Sequence, residues 1–304
     1  MLVYLGPLTL GLILALLGLG VYISYRIFNF PDITVDGSFS SGGVVALMAI
    51  KNGTDPVSAT LLGVLAGMIA GAVTGLLQTR LQVNKILSGI IVMTGLYSAN
   101  YFLMDSSAVV LIDEASLKTQ AADIGAALFS ESTLAALKQA VLPAEDLVFA
   151  AMVLCIVAAV SFALYAFLRT NIGLALRASG ENERMVRALG VNTNLTVLIG
   201  LAISNGLVAA AGALYAQDVN TADLTTGVGF IAVGLTSVIV GQVIAGRGRL
   251  ARALASVVLA SVIVRYLVAA LLALGVETDY FKLINATFLV LVLWLPDVLR
   301  RRAR

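Results

Sequence analysis

Nine stretches of this sequence are almost continuously apolar, and no other feature narrows the possible folds as much. They lie at about 5–25, 37–50, 57–79, 86–104, 147–168, 195–217, 228–245, 250–274 and 280–299. Most reach the roughly 20 residues that a helix needs to cross the hydrocarbon of a bilayer. Lipid offers backbone groups no water, so only helices or closed barrels can span it. The runs are continuous rather than alternating, which argues against a barrel. The expected fold is all-α: a polytopic transmembrane helical bundle of about nine spans, in a single domain over residues 1–304. Composition agrees, because 60% of the residues are hydrophobic and 12% charged, against about 25% charged in soluble domains. The first run lacks a basic segment before it and a small-residue cleavage site, so it reads as a span and not a removable leader.

Glycine is abundant, and runs such as Gly63–Gly67 and Gly71–Gly75 place small residues where helices approach closely. The 37–50 span is short and carries Gly42-Gly43, which marks it as a broken or re-entrant element. Orientation follows from Lys and Arg, which favour the cytoplasmic side. With the Arg-rich segment 169–193 inside, alternation also puts 26–36, 80–85, 246–252 and the C-terminus inside. Fourteen of the 19 basic residues then lie inside, and only Lys51, Lys118, Lys138 and Lys282 outside. The N-terminus is expected outside and the C-terminus cytoplasmic. The outer 105–146 segment contains an amphipathic stretch at Ser116–Phe129 that is expected to lie on the surface.

An internal repeat is visible as well. Asp32-Ile33-Thr34-Val35-Asp36-Gly37 follows the first span, and Asp223-Leu224-Thr225-Thr226-Gly227 follows the sixth. In this topology the two segments sit at opposite faces of the membrane, as inverted-topology repeats of transporters do.

Several functions find no support. The net charge of +2 gives nucleic acid nothing to bind, and no nucleic-acid partner is expected. There is no histidine and one cysteine, Cys155, which removes the commonest general base and metal ligands. No catalytic, metal or cofactor site is expected. A Gly-x4-Gly-Lys-Ser/Thr phosphate loop is also missing.

The most informative segment is 169–193. Gly180 and Gly190 bracket strong helix formers, a pattern that reads as a short helix with glycine stops. Met185, Val186 and Leu189 would share one face, and Glu183 and Arg187 stand at i, i+4. Such a helix can fill a groove on a soluble motor, or lie on anionic headgroups as a positive-inside loop. Physics alone leaves both open.

Gly173-x3-Arg177-Ala178-x-Gly180-x-Asn182-x5-Ala188-x-Gly190-Val191-Asn192 resembles the coupling segment of ABC importer permeases of the branched-chain amino acid and ribose type. Gly241-x4-Gly246-Arg247-Gly248-Arg249 and Asp32-Ile33-Thr34-Val35 are similar to the same family. Residues 30–39 and 84–94 look like a subgroup of tryptophan/tyrosine or unspecified amino-acid permeases. Many members carry an additional helix ahead of the first span found here. The resemblance implies a homodimer of permeases in the membrane lipid, a cytoplasmic ABC ATPase that binds the ATP, and an extracytoplasmic solute-binding protein. It also implies that Gly173, Arg177, Gly180, Glu181, Asn182, Met185, Val186, Leu189 and Gly190 engage the ATPase.

Other polar residues are candidates for a solute path. Arg265 lies within an apolar span, where a charge is costly and functional by default. Its alternatives are snorkelling or a pair with Asp32, Asp36 or an outer acid. Asp32 and Asp36 flank a break at Pro31, and their alternative is helix capping in a solvated turn. Tyr97, Asn100, Tyr101 and Asn285 sit in apolar spans, where such residues also glue helices together. The competing functional reading is a secondary transporter coupled to ions through Asp32, Asp36 or Arg265. A membrane enzyme acting on lipid is more distant.

Overall fold

The computed structural model describes residues 5–112, 114–128, 144–246 and 249–275, with scattered positions between 283 and 290. These residues form a helical bundle. Helix α1 (Leu5–Val21) continues into a π-helical turn, Tyr22–Ile27. Helices α2 (Thr34–Lys51), α3 (Pro56–Thr79) and α4 (Lys85–Met104) follow. A short strand β1 (Ala108–Val110) leads to α5 (Leu117–Leu128) and then to α6 (Ala144–Leu168). Next come α7 (Asn171–Glu181), α8 (Glu183–Ala188) and the long α9 (Thr193–Val219). Strand β2 (Thr221–Asp223), α10 (Phe230–Ala245) and α11 (Leu250–Ala273) complete the described chain. Among the described residues, six helical stretches are long and apolar enough to cross a membrane. The expected ninth span, 280–299, falls mostly outside the described residues.

Local chemistry sets the helix ends. Asp55 accepts from Val57 N at 3.1 Å and Pro56 occupies the first turn of α3, where its missing N–H costs nothing. Asn84 caps α4 through Ile86 N at 2.9 Å, and Asn192 caps α9 through Leu195 N at 3.2 Å. Helices α4 and α9 both stop at a left-handed residue, Asp105 and Asn220, types that tolerate that conformation.

Packing among the central helices is reciprocal. Helix α9 packs against α3 and α2, while α1 packs against α11 and α10, and α1 and α9 pack on each other. Along that last pair the residue order is opposed: Gly20 meets Ser204 and Val208, whereas Phe28 meets Gly200. Helices α1 and α9 therefore run antiparallel, each packed on two helices from the other half of the chain. Contacts are close enough to exclude side chains. A Cβ on Gly42 would strike the Ala209 carbonyl, and one on Gly212 the Phe39 carbonyl.

The second span is not broken at Gly42-Gly43. Its helix is continuous from Thr34 to Lys51 and nearly all buried. The irregular backbone lies ahead of it, in 28–33, with Asn29 at φ 52°. Helix α10 likewise begins inside the bundle. Its first turn is held by Asp36 of α2 and its last turn lies beside Arg26 and Arg177.

At the opposite end, β1 and β2 form an antiparallel pair with Val109 opposite Ala222. The amphipathic stretch is indeed helical, as α5. Leu117, Ala121 and Gly125 face inward, and Lys118 reaches Asp218 at 3.0 Å and Asp146 at 3.7 Å.

Candidate functional site

Thr170 opens α7 by accepting from Gly173 N at 3.2 Å. Gly173 is buried, and a side chain there would meet the Phe167 and Leu168 backbone. Gly180 does not stop a helix, contrary to the expectation from the sequence. It lies within α7, pressed on the Ile27 carbonyl so closely that a Cβ would collide with it. Asn29 Nδ2 donates to the Gly180 carbonyl at 3.4 Å, which ties α7 to the end of the first span.

The bend falls at Asn182, which leaves helical geometry and caps α8 by accepting from Met185 N at 3.0 Å. Gly190, at φ 84°, ends the segment, and a left-handed residue after a helix is commonly glycine. Arg187 donates to Glu183 and, at 3.0 Å, to Thr193 Oγ1, so α8 is braced on the start of α9.

Exposure divides the apolar face expected on α8. Met185 and Leu189 are 52% and 74% exposed, but Val186 is only 2% exposed. Val186 therefore anchors the hairpin from within, and the outward apolar pair is Met185 and Leu189. Arg177 and Glu181 line an open cavity with Tyr22, Arg26 and Gln242.

The described candidate path residues differ in burial. Asp32 is buried; its carboxylate accepts from Thr34 N at 3.0 Å and from Asn205 Nδ2 at 2.7 Å. Asp36 is also buried, and accepts from Gly229 N at 2.9 Å and Ile231 N at 2.8 Å. Neither occupies a solvated turn. Asp32, just ahead of α2, holds the first N–H of that helix, while Asp36 caps α10. Asp36, itself in the first turn of α2, thus stands at the positive ends of both α2 and α10, a favourable place for negative charge.

Arg265 lies within electrostatic reach of Tyr215 and Asp218 on α9; Asp218, at the end assigned to the outside, answers to the outer acid offered from the sequence, and Tyr215 was not suggested. Tyr97 and Tyr101 are 50% and 52% exposed on α4, whereas Asn100 is buried and its Nδ2 has no hydrogen-bond partner among the described residues. Asn285 lies outside the described residues. Asp223 repeats the local geometry of Asp32, accepting from Thr225 N at 2.7 Å. Burial raises its pKa, but hydrogen bonds from Thr226 and Thr225 outweigh that and hold the carboxyl below its usual range.

Sequence reasoning missed Asn205. It is fully buried in α9, donates to Asp32 and accepts from Ser38 Oγ at 2.7 Å. An amide in the middle of an apolar span was the available signal. It also missed an aromatic cluster in which Phe39 stacks on Phe230 at 4.3 Å and tilts against Tyr215 at 5.6 Å.

Comparison with known proteins places this architecture. Residues 3–293 match the model of a family described as branched-chain amino acid transport system, permease component. A tyrosine transport system permease protein of Clostridioides difficile (strain R20291) is 33% identical over 228 residues, covering 75% of this chain and 69% of that one. An uncharacterized protein of Rickettsia prowazekii (strain Madrid E) is 30% identical over 225 residues, covering 74% and 71%. No solved structure matches significantly. With the family match spanning nearly the whole sequence, this multi-pass membrane protein belongs to the branched-chain amino acid transport permease family.

Proposed function

We propose that the chain is the membrane subunit of an ATP-driven importer and that α7–α8 is the part through which a cytoplasmic ATPase moves it. One observation carries this reading. A braced hairpin, fastened through Gly173, Gly180 and Val186, presents Met185 and Leu189 outward on α8 among charged neighbours, with Ile172 and Leu174 exposed at the start of α7. An apolar pair ringed by charge suits the groove of a soluble partner, because desolvated centres hold an interface's strongest contacts. Gly180, seated on the Ile27 carbonyl, would pass the motor's displacement into the first span.

The ATPase lies on the side of the basic segments, with the N-terminus outside and an extracytoplasmic binding protein delivering the solute. The solute is an amino acid, and the tyrosine permease relative favours an aromatic one. A second permease copy completes the path. Support for it comes from α4, whose Thr94, Tyr97, Ser98 and Tyr101 recur at helical spacing on a face left exposed. Polar groups facing hydrocarbon are expensive, whereas a water-filled passage between two copies would accept them. The ion-coupled alternative loses ground because Asp32 and Asp36 are spent on Asn205 and on helix termini.

The double variant Met185→Asp/Leu189→Asp tests the reading. Two charges buried in a partner's groove cost several kcal/mol each. The inserted, folded variant should fail to co-purify with its ATPase and lose uptake. Normal ATPase recovery and uptake would end the coupling role of α8.

A further inference from the structure

An open cavity of about 780 Å3 lies between the end of the first span, α7, the last turn of α10 and the first turn of α11. The coupling hairpin does not account for it. Its wall includes Tyr22, Arg26 and Ile27, all from the π-helical turn. Such turns are rare and gather at functional sites. Arg26 and Arg177 both lie within electrostatic reach of the Tyr22 hydroxyl. Arg26, Arg177 and Glu181 form no ion pair among the described residues. Charged groups of both signs are thus held at one cavity without neutralising one another. Opposite them, Ile239, Val243 and Leu250 make an apolar wall.

We infer that this cavity binds a free α-amino acid with a large apolar side chain, and that the bound molecule restrains α7 and slows the transport cycle. The inference rests on the reading of the chain as an importer subunit. Guanidinium groups present planar pairs of donors that match a carboxylate, so Arg26 and Arg177 take the carboxylate. Glu181, one helical turn from Arg177, takes the ammonium; a simple anion would be repelled by it. The side chain rests on Ile239, Val243 and Leu250. The volume is within the range of small-molecule sites and leaves room for water.

The consequence follows from where the walls belong. Arg177 and Glu181 ride on α7, which leads directly into α8, whereas Tyr22 and Arg26 belong to the π-helical turn that ends the first span and Val243 to α10. A ligand held by all three fixes the hairpin against the bundle. It favours the arrangement to which it binds and opposes any other. Solute accumulating on the coupling side would therefore feed back on its own import.

The test uses the assembled permease, ATPase and binding protein in nanodiscs, with ATP turnover and equilibrium binding as readouts. L-tyrosine and L-leucine are the probes. Tyramine, which lacks the carboxylate, and hydroxyphenylpropionate, which lacks the ammonium, are the controls. The amino acids should bind without the binding protein and lower turnover by about fivefold, a usual size for coupling between sites. Both controls should fail. Arg26→Gln and the milder Arg26→Lys should bind the probes less and be slowed less, each judged against its own ligand-free turnover. Undiminished inhibition in both variants overturns the site, as does wild-type turnover unaffected by either amino acid. Equal inhibition by hydroxyphenylpropionate would make it an anion site and overturn the assignment. Uptake of amino acid offered through the binding protein is measured separately in proteoliposomes, and its failure would sink the transport reading instead.

Discussion

Helices α2 and α4 pack against each other and both carry several hydroxyl residues, yet they dispose of them in opposite ways. In α2, Thr34, Asp36, Ser38, Ser40 and Ser41 are all buried. Thr34 meets Thr74 at 2.9 Å, Ser38 donates to Asn205, and Ser40 accepts from Gly227 N at 2.8 Å. In α4, Thr94, Tyr97, Ser98 and Tyr101 point away from the bundle, while Ser88, Gly89, Val92 and Asn100 face inward. Polarity in α2 holds the bundle together, since its partners come from α3, α9 and the start of α10. Polarity in α4 answers to something beyond the bundle. A polar residue in an apolar span thus has two distinct meanings, and only its facing tells them apart.

The contrast breaks most visibly at glycine. Gly42 in α2 touches the Ala209 carbonyl, whereas Gly95 in α4 has nothing near it. Gly42→Val should cost more than about 4 kcal/mol, the range of severe overpacking, and yield no folded protein by size-exclusion chromatography. Gly95→Val should purify normally. A folded Gly42→Val protein would deny the close contact between the repeats.

Next in size is Asp36→Ala. It removes the acceptor for Gly229 and Ile231 at the buried start of α10, and charge-assisted bonds contribute about 1.5–3 kcal/mol each. Thermal unfolding in detergent should shift down clearly, and Asp36→Asn should recover part of the loss. An unchanged unfolding temperature would show that α10 does not depend on this cap.

The smallest effect on stability belongs to α4. Tyr97→Ala and Tyr101→Ala should stay within about 0.5 kcal/mol of the parent, as surface changes do. Uptake should nevertheless fall about tenfold, equivalent to roughly 1.4 kcal/mol. Normal uptake in both variants would remove the exposed face of α4 from the solute path.

The all-α fold was legible in sequence because lipid imposes long apolar runs, and the matching Asp32 and Asp223 segments share a local geometry, each accepting from a threonine N–H two residues on. The 169–193 segment was legible in outline, since Gly190 ends a short helix by a local rule, but the break expected at Gly180 falls at Asn182. Val186 and Gly180 were misjudged because their roles depend on what lies behind them. Residue spacing put Val186 beside Met185, but only packing reveals that it faces inward, and only the approach of Ile27 explains Gly180. Asp36 capping α10 joins residues far apart in the chain, which no local pattern discloses.

The central claim is that α8 is the contact through which an ATPase drives this permease. Its most direct test is Met185→Cys in a Cys155→Ala background, with the assembled complex treated with a short bifunctional thiol reagent and a cysteine placed in the ATPase groove. A cross-linked permease–ATPase band that changes in yield when ATP is added is the predicted result. A Met185→Cys protein that instead labels with lipid-soluble thiol reagents and never cross-links to its ATPase would contradict the account.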